Sequence, residues 1–107
     1  MSTASVAGVA VEGRHWIGGE RVASGATFTD RSPVDEQPLA ELARGGEAEV
    51  DAAVRAAGQA FAGWAATAPQ ARAAVLHAIA DGISARAAEL AAVETADNGA
   101  LLRSHVN

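Results

Sequence analysis

An α+β arrangement, with short strands first and three helices after them, is the fold class this sequence predicts. Three observations carry it. Residues 15–43 hold short β-branched and aromatic pieces separated by glycine and proline. From Glu47 onward, apolar residues recur at three- and four-residue spacing, the period of a helix. The helical half is also punctuated by a start signal near Thr67, a loss of phase near Gly82 to Arg86, and a stop at Asn98-Gly99.

The elements follow in order. Residues 1–14 carry only a short run of small residues, so they are expected to form a disordered tail, with the folded segment running over 15–107. Trp16-Ile17 and Arg21-Val22 flank Gly18-Gly19, the pattern of a strand, a tight turn and a return. Thr27-Phe28-Thr29 is a second strand piece, ended by Ser32-Pro33 and a turn at Val34-Asp35-Glu36. Leu39 to Ala43 is a third extended piece. Strands this short and few need something to lie against.

Gly45-Gly46 opens the first helix. On it Val50, Val54, Ala57, Phe61 and Trp64 share a face, and Glu47, Glu49 and Asp51 complement the helix dipole. Thr67 reads as the N-cap of the second helix, with Gln70 closing a capping box and Pro69 in the first turn. Val75, Leu76, Ile79, Ala80 and Ile83 form its apolar face. Ala87, Leu90, Ala91 and Val93 form that of the third helix, which Gly99 ends. Phe61, Trp64, Leu76, Ile79 and Leu90 are expected to be the most buried large residues.

Composition narrows the function. At 107 residues the chain is one domain at most, and much of its apolar content is alanine, which buries little area. Its net charge is −5, and all eight cations are arginine. An acidic chain without a basic run is a poor partner for nucleic acid or an anionic membrane. No apolar run approaches the length of a membrane span, and the N-terminus lacks the cationic start of a signal peptide; a cytoplasmic protein is expected. There is no cysteine, which removes disulfides, thiolate metal sites and a cysteine nucleophile.

His15, His77 and His105 have no short-spaced pair among them, so isolated solvated histidines outweigh a zinc site. A phosphate cradle at Gly45-Gly46 is opposed by Glu47 and Glu49. Glu94 and Asp97 stand three apart near the unfavourable end of a helix dipole. An acid/base pair, a cation site and a solvated edge are all open for them, the solvated edge weighing most.

The order of these pieces resembles the N-terminal segment of the aldehyde dehydrogenase superfamily. Trp16-Ile17-Gly18-Gly19-Glu20 resembles its opening strand, and Thr27-Phe28 through Ser32-Pro33 its second. Glu49 through Val54, with Ala60-Phe61 and Trp64, is similar to its first helix. Arg72, Leu76, Ile79-Ala80-Asp81 and Ile83 are similar to its second. Glu89-Leu90-Ala91 and Glu94 through Gly99 are similar to its third. The resemblance covers about residues 15–100, and Ala100 through His105 is faintly similar to semialdehyde dehydrogenases of aromatic-compound breakdown.

The resemblance implies part of the NAD(P)-binding domain of an enzyme that oxidises an aldehyde to a carboxylate. There a cysteine thiolate attacks the aldehyde, and hydride leaves to NAD or NADP. It implies that the remainder of the dehydrogenase chain is the partner, that the complete enzyme is a homo-oligomer, and that Asn107 is a truncation point. No catalytic or cofactor-binding residue carries over, so the chain alone is expected to be inactive and to bind no nicotinamide cofactor. One site does carry over. A structural Na⁺ or K⁺ in some family members would here meet Asp97 and the backbone oxygens of Asp30 and Arg31. Threonine and an aliphatic residue are more usual at the two strand positions. Against this reading stand a non-enzymatic helical interaction module and an inert remnant.

Overall fold

The computed structural model describes residues 3–101. Six strands come first: β1 (Thr3–Val6), β2 (Val9–Glu12), β3 (His15–Ile17), β4 (Glu20–Val22), β5 (Thr27–Arg31) and β6 (Pro38–Ala43). Three helices follow: α1 (Glu47–Ala66), α2 (Pro69–Ala85) and α3 (Ala87–Asn98). The α+β order is the expected one. The strands pair antiparallel with their chain neighbours into three separate two-stranded ribbons.

Within the tail expected over residues 1–14, residues 3–12 instead form a β-hairpin, with Val6 opposite Val9 and Ala4 opposite Val11. Its turn is Ala7-Gly8, at φ 51 and 79. This two-residue connection matches the strand twist only when both residues take positive φ. The burial of Val6, 5% exposed, supplies driving force that a run of small residues obscures.

The second ribbon turns at Gly18-Gly19, both at positive φ, as the sequence predicts. The third pairs Phe28 with Leu42 and Asp30 with Ala40, and is irregular between Asp30 and Arg31. The Ala43 N–H donates to the Gly13 carbonyl at 2.8 Å, tying the third ribbon to the link between the first two, and the Arg44 N–H donates to the Ala26 carbonyl at 2.9 Å, extending the β5–β6 ribbon by one step. β1 lies against β6.

At the start of α1 the Glu49 carboxylate accepts a hydrogen bond from the Gly46 N–H at 2.9 Å. Thr67 does not cap α2. Its hydroxyl donates back to the Gly63 carbonyl at 2.8 Å and its N–H to Trp64, so it closes α1. Ala68 stands at the α2 N-cap with no side-chain bond, and Pro69 opens the helix. The break of phase is a single non-helical residue, Arg86, between α2 and α3. Gly99 ends α3 in the left-handed conformation, at φ 76.

Packing departs most from expectation. Phe61 is 68% exposed, Leu76 61%, Ile79 54%, Leu90 47% and Trp64 43%. Among the described residues only Val6 and Ala91 are buried. The reason is geometric. α1 meets the second ribbon through small residues: Ala53, Ala56 and Ala60 face Gly18 and Gly19, and a Cβ on Gly18 would lie 3.6 Å from that of Ala56. At 100° per residue, the Val50–Val54–Phe61–Trp64 stripe sits about a quarter turn away from that edge. The radius of gyration is 16.7 Å, against about 13 Å for a compact chain of this length.

Candidate cation site

Alternation along β5 sorts its side chains to two faces. Thr27 and Thr29 point outward, where both hydroxyls donate to the Glu41 carboxylate on β6. Phe28 and Asp30 point the other way, into a groove of about 540 Å³ between the ribbons and α3. Val6, Leu42, Leu90 and Val93 make its walls apolar. Asp30, Glu94 and Asp97 bring carboxyl groups to it. α3 is held there by its end: a Cβ on Gly99 would stand 3.1 Å from Pro33 Cγ, so the helix terminus lies close on the β5–β6 connection.

The Asp30 and Asp97 carboxyls are within hydrogen-bonding reach, which raises the Asp30 pKa above its ordinary value. The hydrogen bond with Asp97 is the main cause, followed by burial and by the Asp97 charge, while the Arg31 N–H pulls the other way. Either a shared proton or a cation would ease the approach of two such carboxyls. The Arg31 guanidinium donates to the Glu36 carbonyl at 3.2 Å, within the β5–β6 turn.

The structure thus brings together Asp30 and Asp97 from the expected set, with the Arg31 backbone beside them. It adds what the sequence reading missed: the Asp30 side chain, and not only its carbonyl, faces the pair. The available signal was the two-residue period, which puts a carboxylate on the same face as Phe28. Oxygen donors of this kind fit a hard monovalent ion. Among the described residues no group of three or more His, Asp or Glu side chains is placed to hold a metal ion. His15 on β3 and His77 on α2 do not converge, and His105 lies outside the described residues.

Among the described residues the strands pair only antiparallel, so they form no switch-point crevice of a parallel sheet. At the α1 N-terminus, the Glu49 carboxylate stands where a phosphate would have to bind. No helix among the described residues is long and apolar enough to cross a membrane.

Comparison with known proteins agrees with the order of elements. The profile of the aldehyde dehydrogenase family matches residues 21–106. A probable aldehyde dehydrogenase of Mycobacterium bovis is 45% identical over 92 residues, covering 84% of this chain and 18% of the relative. A 2-hydroxymuconic semialdehyde dehydrogenase of Pseudomonas sp. is 44% identical over 99 residues, 88% of this chain and 20% of the relative. A 5-carboxymethyl-2-hydroxymuconate semialdehyde dehydrogenase of Escherichia coli is 41% identical over 85 residues, 79% and 18% respectively. The chain therefore spans about a fifth of the length of these relatives. With strands, helices and sequence in agreement over most of its length, the chain belongs to the aldehyde dehydrogenase family.

Proposed function

We propose that this chain is the N-terminal part of an NAD(P)-dependent aldehyde dehydrogenase and contributes structure, not catalytic groups, to the oxidation of an aldehyde to a carboxylate. The observation that carries this reading is the family match over residues 21–106, joined to coverage of only 18% of the relative from Mycobacterium bovis. With no cysteine among its 107 residues, the chain supplies no thiolate nucleophile. The nicotinamide cofactor finds no fitting residues here, so no chemical step is assigned to this segment. Its partner is the remainder of the dehydrogenase chain, in a cytoplasmic homo-oligomer. The semialdehyde dehydrogenases among its relatives favour a semialdehyde substrate.

Within that role, Asp30 and Asp97, with the Arg31 carbonyl, hold a structural Na⁺ or K⁺ that ties α3 to β5. Donor chemistry supports this: carboxylate and carbonyl oxygens suit a hard monovalent ion, and the Asp30 and Asp97 carboxyls stand close enough to interact. Calorimetric titration of the purified chain with NAD⁺ and NADP⁺ tests the inactive role. The expected result is no saturable heat, and saturable binding at micromolar cofactor would contradict it.

A further inference from the structure

We propose that Asn98-Gly99, at the end of α3, is a site of spontaneous modification: the chain deamidates there, and the isoaspartyl link that forms loosens the joint between α3 and the ribbons. Asn98 is exposed and is the last residue of α3. Gly99 follows it at φ 76, with no Cβ to shield its nitrogen. The Asn98 Oδ1 accepts a hydrogen bond from the Ala100 N–H at 2.8 Å. That bond folds the side-chain amide back over the Gly99 peptide and draws electron density from its carbonyl carbon, Cγ. One backbone bond, from the Gly99 N–H to the Thr95 carbonyl at 2.9 Å, holds the attacking nitrogen in the helix. A helix end opens at little cost.

The step is local and needs nothing from the rest of a dehydrogenase. Hydroxide takes the Gly99 amide proton, and the nitrogen attacks Asn98 Cγ. A new C–N bond closes a succinimide ring as the Cγ–Nδ2 bond breaks, and Nδ2 leaves as ammonia after taking a proton from water. Water then opens either carbonyl of the ring, giving aspartate or isoaspartate. The balance is one water consumed and one ammonia released, with no redox change. Asp81-Gly82 shows what the geometry adds. It has the same following glycine and is equally exposed, but it lies inside α2. Turning the residue 81 backbone toward its side chain breaks every helical hydrogen bond that spans it. At residue 98 the product sets a carboxylate beside Asp97, at the negative end of the α3 dipole. Isoaspartate also routes the backbone through Cβ, which adds a methylene where a Cβ on Gly99 would already stand 3.1 Å from Pro33 Cγ. The joint has no slack to absorb it.

The experiment ages the 107-residue chain in mildly alkaline buffer beside its Asp81→Asn variant, which carries the same Asn-Gly pair inside α2 and is matched to the parent in helical content by circular dichroism. Peptide mapping with isoaspartyl methyltransferase labelling reads each position. The expected result is isoaspartate forming at residue 98 about tenfold or more faster than at residue 81, with the two rates converging in concentrated urea. The aged fraction should melt about 5 °C below fresh chain. Asn98→Gln should remove both the label and the fall in melting temperature. Equal rates at the two positions in native buffer, or a difference that persists in urea, would overturn the assigned role of the helix end. An unlabelled Asn98-Gly99 pair after ageing would overturn the site itself. Label at residue 98 with unchanged melting would overturn the loosening of the joint.

Discussion

The two ends of this molecule solve the same problem differently. Where α3 meets the ribbons, cover is supplied within the chain: Ala91 is 3% exposed, Val6 is 5% exposed, and Gly99 closes on Pro33. Along α1 and α2 the larger side chains face outward, and α1 meets β3 and the Gly18-Gly19 turn along an edge rich in alanine. A helical stripe therefore states that a residue needs cover, but not that the cover belongs to the same chain. Under the proposed function, the ribbon–α3 end is a joint made within this chain, and the α1–α2 face is one that the rest of a dehydrogenase would cover.

The largest effect that could break this comparison is Ile79→Ala. In a fusion enzyme that joins this chain to the rest of the Pseudomonas sp. 2-hydroxymuconic semialdehyde dehydrogenase, it should cost about 2–5 kcal/mol, as buried isoleucines do. In the isolated chain, where Ile79 is 54% exposed, it should cost no more than about 0.5 kcal/mol. Equal losses in urea melts of both proteins would show that α2 is already covered within the chain. Ala91→Leu should reverse the pattern. At a buried alanine, overpacking costs about 1–3 kcal/mol, and the loss should already appear in the isolated chain. No change in its melt would mean that the groove is not a packed joint.

A smaller effect sharpens the joint itself. Because the folded-state pKa of Asp30 is raised, the folded state binds its proton more tightly than the unfolded state. The Asp30–Asp97 pair therefore costs no stability below the ordinary aspartate range. It becomes destabilising as pH rises from the ordinary aspartate value through the raised one. In buffer free of Na⁺ and K⁺, Asp97→Asn should melt higher than the parent at neutral pH, and the difference should vanish on acidification. Adding K⁺ should raise the melting temperature of the parent and not of the variant. An identical salt response in both proteins would remove the cation from the account.

Much of the architecture was legible because its signals are local. Gly18-Gly19 between Trp16-Ile17 and Arg21-Val22 marks a tight return, and Pro69 and Gly99 mark helix ends through their own backbone preferences. Thr67 misled because a threonine between two helices can serve either one, and its hydroxyl reaches the Gly63 carbonyl behind it. The first hairpin was hidden by Ala7, an unusual residue for positive φ, beside Gly8. The Asp30–Asp97 meeting is long-range, between β5 and α3; no local pattern carries it, and only the family resemblance pointed to it. Burial of Phe61, Trp64, Leu76 and Ile79 was misjudged because the periodicity that identifies an apolar face is the same whether its partner lies inside the chain or beyond it.

Hydrogen exchange on the isolated chain, read beside the fusion enzyme, tests this contrast most directly. The account predicts that amides of α3 and of the β5–β6 ribbon are the better protected in the isolated chain. Those of α1 and α2 should exchange rapidly there and gain protection when the remainder of the enzyme is present. Protection of α1 and α2 equal to that of α3 in the isolated chain, unchanged in the fusion, would contradict the claim that this face is completed by the rest of a dehydrogenase.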